Sequence, residues 1–197
     1  MTMSPKDRTK INRLITQWVP GTPSAASYLV SQGLKPDTLV KYRLREWLEP
    51  FGRGAYKRSG EKVDWLGALY TLQTQLQLPV HAGGKTALEL QGYVHYLRVK
   101  QGLVFLYGPR GMRTPSWFND EQLGVEIFVT RTNLFPEDSL GFVDYDERSF
   151  SVRMSVPERA VMEMLHLVPK HVGFSEAYLI MQNLVSLRPN VVQTLLE

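Results

Sequence analysis

The side chains that could do chemistry are concentrated near the amino terminus of the sequence. Lysine and arginine bind phosphate oxygens, and hydroxyl and guanidinium groups also hydrogen-bond to base edges. The candidates of this kind are Ser24, Lys35, Thr38, Lys41, Tyr42, Arg45, Arg53, Lys57 and Arg58. Their types and close spacing predict a surface that contacts double-stranded DNA, with no catalytic residue among them.

The charge of the chain is divided unequally along its length. Residues 1–60 hold eleven lysines and arginines against four acidic residues, a net charge of +7. The other residues hold twelve against fifteen, a net charge of −3. A cationic segment of this kind is typical of a nucleic-acid footprint, because neutralising phosphates releases counterions. The alternative is a small helical subdomain whose charges are only solvated.

Two short helices are expected to position these side chains. The segment Thr22–Val30 opens with a hydroxyl N-cap and a proline, and Gly33 closes it, which predicts the first helix. The segment Pro36–Trp47 opens with a proline followed by an acidic residue and continues at helical period, which predicts the second. The short connection between them is typical of a helix-turn-helix.

The periodicity of the second helix divides its side chains between two faces. Successive residues are about 100° apart around the axis. The face predicted to pack holds Leu39, Val40, Leu44 and Trp47. The face predicted to be presented holds Thr38, Lys41, Tyr42 and Arg45. Side chains of the second set are suited to the major groove of DNA.

A basic hairpin is predicted directly after this helix. Strands at Leu48–Phe51 and Ala55–Arg58 flank Gly52-Arg53-Gly54, whose glycines permit the positive φ angles of a tight turn. Arg53 is expected at the tip, with Lys57 and Arg58 on the return strand, where they can bind phosphates beside the groove. The pattern therefore predicts the wing of a winged helix.

The rest of the chain predicts a mixed second domain. An amphipathic helix at Lys10–Trp18 completes the first core, and Ser59–Lys62 is the expected linker. Helices are then expected at Val63–Leu78, Thr86–Gly92, Pro157–Leu167, Phe174–Leu187 and from Pro189 onward, and strands at Leu103–Tyr107, Val125–Thr130 and Ser149–Met154. The predicted fold class is α+β, with a winged helix-turn-helix domain over residues 1–60 and a mixed α/β domain with a small sheet and C-terminal helices over residues 61–197. The last helix has no stop signal, which predicts that the natural protein continues past Glu197.

Carboxylates in the second domain give an alternative function. Asp144, Asp146 and Glu126 could hold a divalent ion in a metal-dependent nucleic-acid-processing enzyme. The segment Asp144–Glu147 lies between two strand-like runs, however, and is more simply a polar hairpin connection. A third reading is an adaptor in which the mixed domain binds protein and the basic arm binds RNA.

Two other patterns lack the spacing that their chemistry needs. Gly83–Thr86 is preceded by no glycine at the Walker position, so it indicates a helix start rather than a phosphate loop. His166 and His171 are five positions apart, whereas the two histidines of a helical zinc pair are four positions apart. The chain has no cysteine, which excludes thiolate ligands and a thiol nucleophile. We therefore expect no catalytic residue, no metal site and no cofactor.

The sequence also lacks features of a membrane or secreted protein. No apolar run approaches the roughly 20 residues that span a bilayer. The first residues lack the hydrophobic region of a signal peptide. We expect a cytoplasmic protein without membrane contact.

Several segments together resemble a known family. They are Leu44–Leu48, Phe51–Lys57, Trp65–Tyr70, His81–Tyr93 and Ser155–Ala160. In these segments the chain is similar to the AbiEi antitoxins of type IV toxin-antitoxin systems, which act in abortive infection and phage defence. The similarity extends over most of the chain.

The resemblance implies a function for each domain. The amino-terminal winged helix would repress its own operon by binding inverted repeats in the promoter, through the helix and wing residues named above. The second domain would counter a toxin that resembles nucleotidyltransferases, without a stable complex between them. In the family, a further basic helical segment follows the position that corresponds to Leu195, and this sequence departs from the family there. The departure bears on neutralisation of the toxin and not on DNA binding.

Overall fold

The computed structural model describes residues 5–94, 103–135 and 140–197, with side chains from residue 11 onward except at residue 120. The helices are α1 (Pro5–Gln17), α2 (Ala26–Ser31), α3 (Pro36–Leu44), α4 (Trp65–Thr74), α5 (Gly84–Leu90), α6 (Asp120–Leu123), α7 (Pro157–His166), α8 (Phe174–Asn183) and α9 (Pro189–Leu196). The strands are β1 (Ser24–Ala25), β2 (Leu48–Pro50), β3 (Ala55–Arg58), β4 (His81–Ala82), β5 (Leu103–Gly108), β6 (Glu126–Arg131), β7 (Phe142–Glu147) and β8 (Phe150–Ser155). The α+β class is confirmed.

The amino-terminal part is a small helical core beside a three-stranded sheet. Helices α1, α2 and α3 bury Ile11, Leu29 and Leu39 against one another, as the amphipathic pattern predicts. The sheet has the order β1-β3-β2, and both pairings are antiparallel. Helices followed by this hairpin make the winged helix that the sequence predicts.

The carboxyl-terminal part is a five-stranded mixed sheet covered by helices. The strand order is β6-β5-β4-β8-β7, with β5 parallel to β6 and β4 parallel to β8. Helices α4, α5 and α7 pack against strand β8, and their apolar side chains enter a larger core that includes Leu69, Leu88 and Met164. The same core takes in Phe51 and Ala55 from the wing.

Helix α4 is closely packed against the amino-terminal part. The Thr71 hydroxyl donates to the Pro23 carbonyl oxygen at 2.6 Å. The Gln75 side-chain oxygen accepts from the Ser24 hydroxyl and the Ala25 N–H, both at 3.0 Å. A Cβ built on Gly67 would lie 2.0 Å from a backbone carbonyl oxygen of the loop before β1, so only glycine fits there. These contacts fix the orientation of the winged helix.

Three helix and strand predictions need correction. The first helix begins at Ala26 rather than Thr22, because Ser24–Ala25 pairs with β3 as a strand. The second helix ends at Leu44, and Glu46 follows it in the left-handed region at φ +57°. The segment Asp144–Glu147 belongs to strand β7, paired along β8, so it is not a hairpin connection. The structure also adds the two-residue strand β4.

The remaining element predictions are confirmed apart from their ends. The strands expected around residues 103, 125 and 149 are β5, β6 and β8, and the helices expected after Pro157, Phe174 and Pro189 are α7, α8 and α9. The helix predicted at Val63–Leu78 is the shorter α4. Across the described ranges, no helix has both the length and the apolar character needed to cross a membrane.

Candidate nucleic-acid interface

A tight turn joins the two helices of the helix-turn-helix. Gly33 adopts φ +86° after the end of α2, a conformation that side chains with a Cβ rarely adopt. The Leu34 N–H donates back to the Leu29 carbonyl oxygen at 3.2 Å and closes the turn. Pro36 then starts α3, and Asp37 lies in its first turn, where the helix dipole favours an acidic side chain. The connection and the start of α3 are as predicted.

The buried face of α3 differs from the predicted one. Leu39 and Tyr42 are each only 2% exposed, and the Tyr42 ring packs at 5.6 Å from the Trp47 ring. Val40 is 42% exposed and Leu44 is 73% exposed. The predicted packing of Val40 and Leu44 and the predicted exposure of Tyr42 are therefore wrong. Apolar and aromatic side chains span about 200° of this helix, so its period alone could not decide which part of that arc is buried.

The outward surface of α3 combines cations with aliphatic side chains. Lys41 is exposed between Val40 and Leu44, and Thr38 is half-buried. The Arg45 guanidinium lies 6.0 Å from the centroid of the Trp47 ring, and Arg45 is the C-cap residue of α3. Such a mixture can supply hydrogen bonds to base edges and apolar contacts to thymine methyl groups.

Two further cations belong to this surface. Lys35 is exposed at the N-cap of α3, where the sequence predicted a contact. Arg43 is exposed in the last turn of α3 and was not among the predicted contacts. The only sequence signal for Arg43 was its place in the cationic run.

The wing has the predicted hairpin, and its turn is packed against the loop between β5 and α6. Gly52 and Gly54 adopt φ +62° and +102°, the left-handed conformations that the turn needs. A Cβ on Gly52 would lie 2.9 Å from the Cα of Trp117, so the turn is in close contact there. Arg53 is exposed at the tip, and its carbonyl oxygen accepts from the Ser116 hydroxyl at 3.2 Å.

The cations on the return strand are paired with carboxylates. Lys57 lies 3.1 Å from Glu49 directly across the hairpin, and its ammonium donates to the Glu61 carbonyl oxygen at 2.9 Å. Arg58 donates two N–H groups to the Glu61 carboxylate, which also accepts from the Gly21 N–H at 2.8 Å. These pairs join the wing to the loop before β1 and reduce the net positive charge of β3.

The electrostatics of Glu49 and Glu61 agree with this pairing. Hydrogen bonds from the Ser59 hydroxyl and a backbone N–H, together with the Lys57 ammonium, lower the pKa of Glu49 to about 2. Partial burial acts to raise the pKa of Glu61, but hydrogen bonds from Arg58 and a backbone N–H outweigh it and lower the pKa. Both groups are therefore carboxylates at neutral pH.

Ser24 lies away from this surface. It is 3% exposed on strand β1, and its hydroxyl donates to Gln75. The sequence placed it in the helix predicted at Thr22–Val30 and among the DNA contacts. Because the segment forms a strand against β3, Ser24 joins α4 to the winged helix and is not retained as a DNA contact.

The carboxylates of Glu126, Asp144 and Asp146, considered above for a metal-dependent enzyme, do not all lie close together. Glu126 starts β6 and Asp144 and Asp146 lie on β7, at opposite edges of the five-stranded sheet. Four strand spacings separate these edges, roughly 19 Å. Among the described residues, no three histidine or acidic side chains form a cluster that could hold a metal ion.

The segment Gly83–Thr86 has a structural role. Gly84 begins α5, as predicted for a helix start. The Lys85 ammonium lies 2.6 Å from the Glu176 carboxylate, and the Thr86 hydroxyl accepts the Phe105 N–H at 2.8 Å. Both polar side chains are thus used in joining α5 to α8 and β5.

Comparisons with known proteins cover nearly the whole chain. Residues 7–99 match the model of the transcriptional regulator AbiEi antitoxin N-terminal domain. Residues 101–197 match the model of the transcriptional regulator AbiEi antitoxin of the type IV toxin-antitoxin system. A search of curated proteins gives no match.

A solved structure shows a similar fold. The crystal structure of the RV2827C protein from Mycobacterium tuberculosis superposes with a TM-score of 0.58 at 14% sequence identity. The match covers 100% of this chain and 73% of that one. From the two family models, this chain belongs to the AbiEi antitoxin family of transcriptional regulators of type IV toxin-antitoxin systems.

Proposed function

We propose that this chain is a DNA-binding autorepressor and an antitoxin. Residues 1–60 bind inverted repeats in the chain's own promoter, and residues 61–197 counter a nucleotidyltransferase-like toxin without a stable complex. The observation that carries the proposal is the set of exposed cations on α3 and at the wing tip of a helix-turn-helix. The family descriptions, which name transcriptional regulators and antitoxins, support the same assignment, and we propose no catalytic role.

The proposal assigns different roles to the cations. Lys41 and Arg45, with Thr38, enter the major groove and contact base edges. Lys35 and Arg53 bind phosphates on either side. Lys57 and Arg58 lie along the wing as flanking phosphate contacts, and their partners within the chain are Glu49 and Glu61. The concentration of positive charge in residues 1–60 supports binding through many phosphates.

Titration of promoter DNA at several salt concentrations tests the DNA-binding half. Each cation that neutralises a phosphate adds about one unit to the slope of log affinity against log salt. Lys35→Ala and Arg53→Ala should each reduce the slope by about that amount. Arg45→Ala should also relax sequence preference, at a cost of about 1 to 3 kcal/mol for the preferred site.

Matched variants on the second part of the chain provide the control. Lys170 and Arg148 are exposed there, and Arg148 is 94% exposed on the turn between β7 and β8. Lys170→Ala and Arg148→Ala remove the same charges but should leave the slope unchanged. Equal slopes for Lys35→Ala and Lys170→Ala would refute the proposed interface.

Co-expression tests the antitoxin half. The intact chain should restore growth to cells that express the adjacent nucleotidyltransferase-like toxin, while the two purified proteins elute separately. Continued growth arrest, or a stable co-eluting complex, would contradict this part of the proposal.

A further inference from the structure

A cavity of about 460 Å³ lies in the second part of the chain. Its lining comes from the loop before β4, from β5 and the residues after β6, and from β7, β8 and α7. No residue of α3 or of the wing lines it, so it is separate from the proposed DNA interface. The volume is within the range of about 300 to 1,000 Å³ that small-molecule sites occupy.

Apolar and aromatic groups form much of the wall. They are Leu78, Pro79, Val80, Leu134, Phe135 and Phe142. The His81 ring meets the Phe142 ring edge to face, with 4.8 Å between centroids. A flat organic ring would find apolar contact on this wall.

Two guanidinium groups flank the same aromatic ring in the cavity. The Arg153 guanidinium carbon lies 3.7 Å from the centroid of the Phe142 ring, and that of Arg159 lies 4.2 Å from it. Burial has the largest effect in lowering the pKa of Arg159, and the positive charge of Arg153 lowers it further. An anion placed beside the two guanidinium groups would relieve their repulsion.

The carboxylate that pairs with Arg159 is already fully hydrogen-bonded. Glu163 is 1% exposed, and among the described lining residues it is the only acidic one. One of its oxygens accepts from His81 and from the Arg159 Nε, each at 2.9 Å. The other accepts from the Ser155 hydroxyl at 2.8 Å and from the Gly84 N–H at 3.0 Å.

The charges of the cavity are therefore unbalanced. Glu163 offsets Arg159, with which it is paired. Within the part of the chain that the structure describes, the Arg153 guanidinium forms no ion pair with a carboxylate. One positive charge thus remains beside an aromatic ring and an apolar wall.

We propose that this cavity is a binding site for a small planar organic anion. The anionic group pairs with Arg153, and the ring lies on the apolar wall formed by Leu78 and Leu134. A nucleoside 5′-monophosphate and an aromatic carboxylic acid both offer this chemistry, a flat ring with an anionic group. The site is independent of DNA binding.

Calorimetric titration of the intact chain with two probes tests the proposal. The probes are adenosine 5′-monophosphate and 2-naphthoate, each compared with its neutral counterpart, adenosine or 2-naphthol. At least one anion should bind at least tenfold more tightly than its counterpart, because a hydrogen bond to a charged group contributes more than a factor of ten in affinity. Which anion binds identifies the source, a nucleotide or an aromatic acid.

Variants locate the bound anion. Arg153→Gln should weaken its binding about tenfold, whereas Arg148→Gln, on the nearby exposed turn, should not change it. Leu134→Trp enlarges a side chain that lines the cavity and should also weaken binding, without changing the charges. Promoter binding should be the same in all three variants, so the outcome is distinguishable from failure of the proposed DNA interface.

Two results would overturn the proposal. One is the absence of binding by either anion, or binding no tighter than that of the neutral counterpart. The other is binding that survives both Arg153→Gln and Leu134→Trp, which would place the anion elsewhere.

Discussion

Replacing Glu163 by glutamine should cause the largest single loss of stability in the second part of the chain. The carboxylate lies on α7 and receives four hydrogen bonds, from β4, from the start of α5, from β8 and from Arg159 on its own helix. In Glu163→Gln, one oxygen becomes an NH2 group that faces two donors. Arg159, itself buried, also loses its counter-charge.

The expected cost follows from the burial of the group. Removing one partner of a buried ion pair costs about 3 to 5 kcal/mol, because the other charge is left uncompensated. The stability of a typical folded protein is about 5 to 15 kcal/mol, so this loss is a large part of the total. Urea unfolding at pH 7 measures it. Glu126→Gln, an exposed carboxylate at the start of β6, is the control and should change the free energy of unfolding by less than about 0.5 kcal/mol.

The same variant should alter the pH dependence of stability. Burial acts to raise the pKa of Glu163, but hydrogen bonds and charges from His81, Arg159 and Ser155 outweigh it and lower the pKa. A carboxyl group whose pKa is lower in the folded state contributes stability above its unfolded pKa, near 4.5, and loses that contribution as the pH falls through the folded value. Glu163→Gln should therefore lose less stability than the parent between pH 5 and pH 3. A loss below about 1 kcal/mol at pH 7, with an unchanged slope in acid, would refute this reasoning.

Two further substitutions test the packing and charge of the amino-terminal part. Gly67→Ala places a Cβ 2.0 Å from the Gly21 carbonyl oxygen, and should cost about 2 kcal/mol or more in urea unfolding despite the helix preference for alanine. Gly173→Ala, whose Cβ meets nothing within 4 Å, should cost about 1 kcal/mol or less, because alanine is a poorer N-cap than glycine, and equal losses would contradict the close approach of α4. Glu49→Gln removes the carboxylate partner of Lys57 and should tighten promoter binding, with a salt slope steeper by about one unit. Weaker binding by this variant would show that the pair is needed to position the wing.

The winged helix could be predicted from the sequence because its signals are local. Pro36 at a helix start, Gly33 after a helix end, and the two glycines of the hairpin turn each specify their own backbone conformation. The start of α2 could not be predicted in this way. Strand β1 exists because Ser24 and Ala25 pair with residues about thirty positions later, and no signal within the segment reports that partner.

The buried face of α3 and the acidic edge strand β7 also could not be predicted from local signals. Leu39, Val40, Tyr42 and Leu44 span about 200° of the helix, so the part of that arc that is buried is decided by what packs against it. The acidic strand β7 becomes a strand because β8 pairs with it over its whole length.

The buried cluster around Glu163 also depends on distant partners. His81 and Glu163 are 82 residues apart, and their hydrogen bond forms only when β4 and α7 meet. The next histidine after His81 in the sequence is the distant His95, so no spacing marks His81 as part of a site. Long-range assembly, rather than an unusual residue type, is what the sequence could not report.

The most direct test of the central claim is binding of the intact chain to its own promoter duplex. We expect tight binding at low salt and a steep decrease in affinity as the salt concentration is raised. The promoter duplex with its inverted repeats should bind more tightly than a scrambled duplex of equal composition. The same weak affinity for promoter and scrambled DNA, with no dependence on Lys41 or Arg53, would contradict the claim that α3 and the wing form a DNA-binding surface.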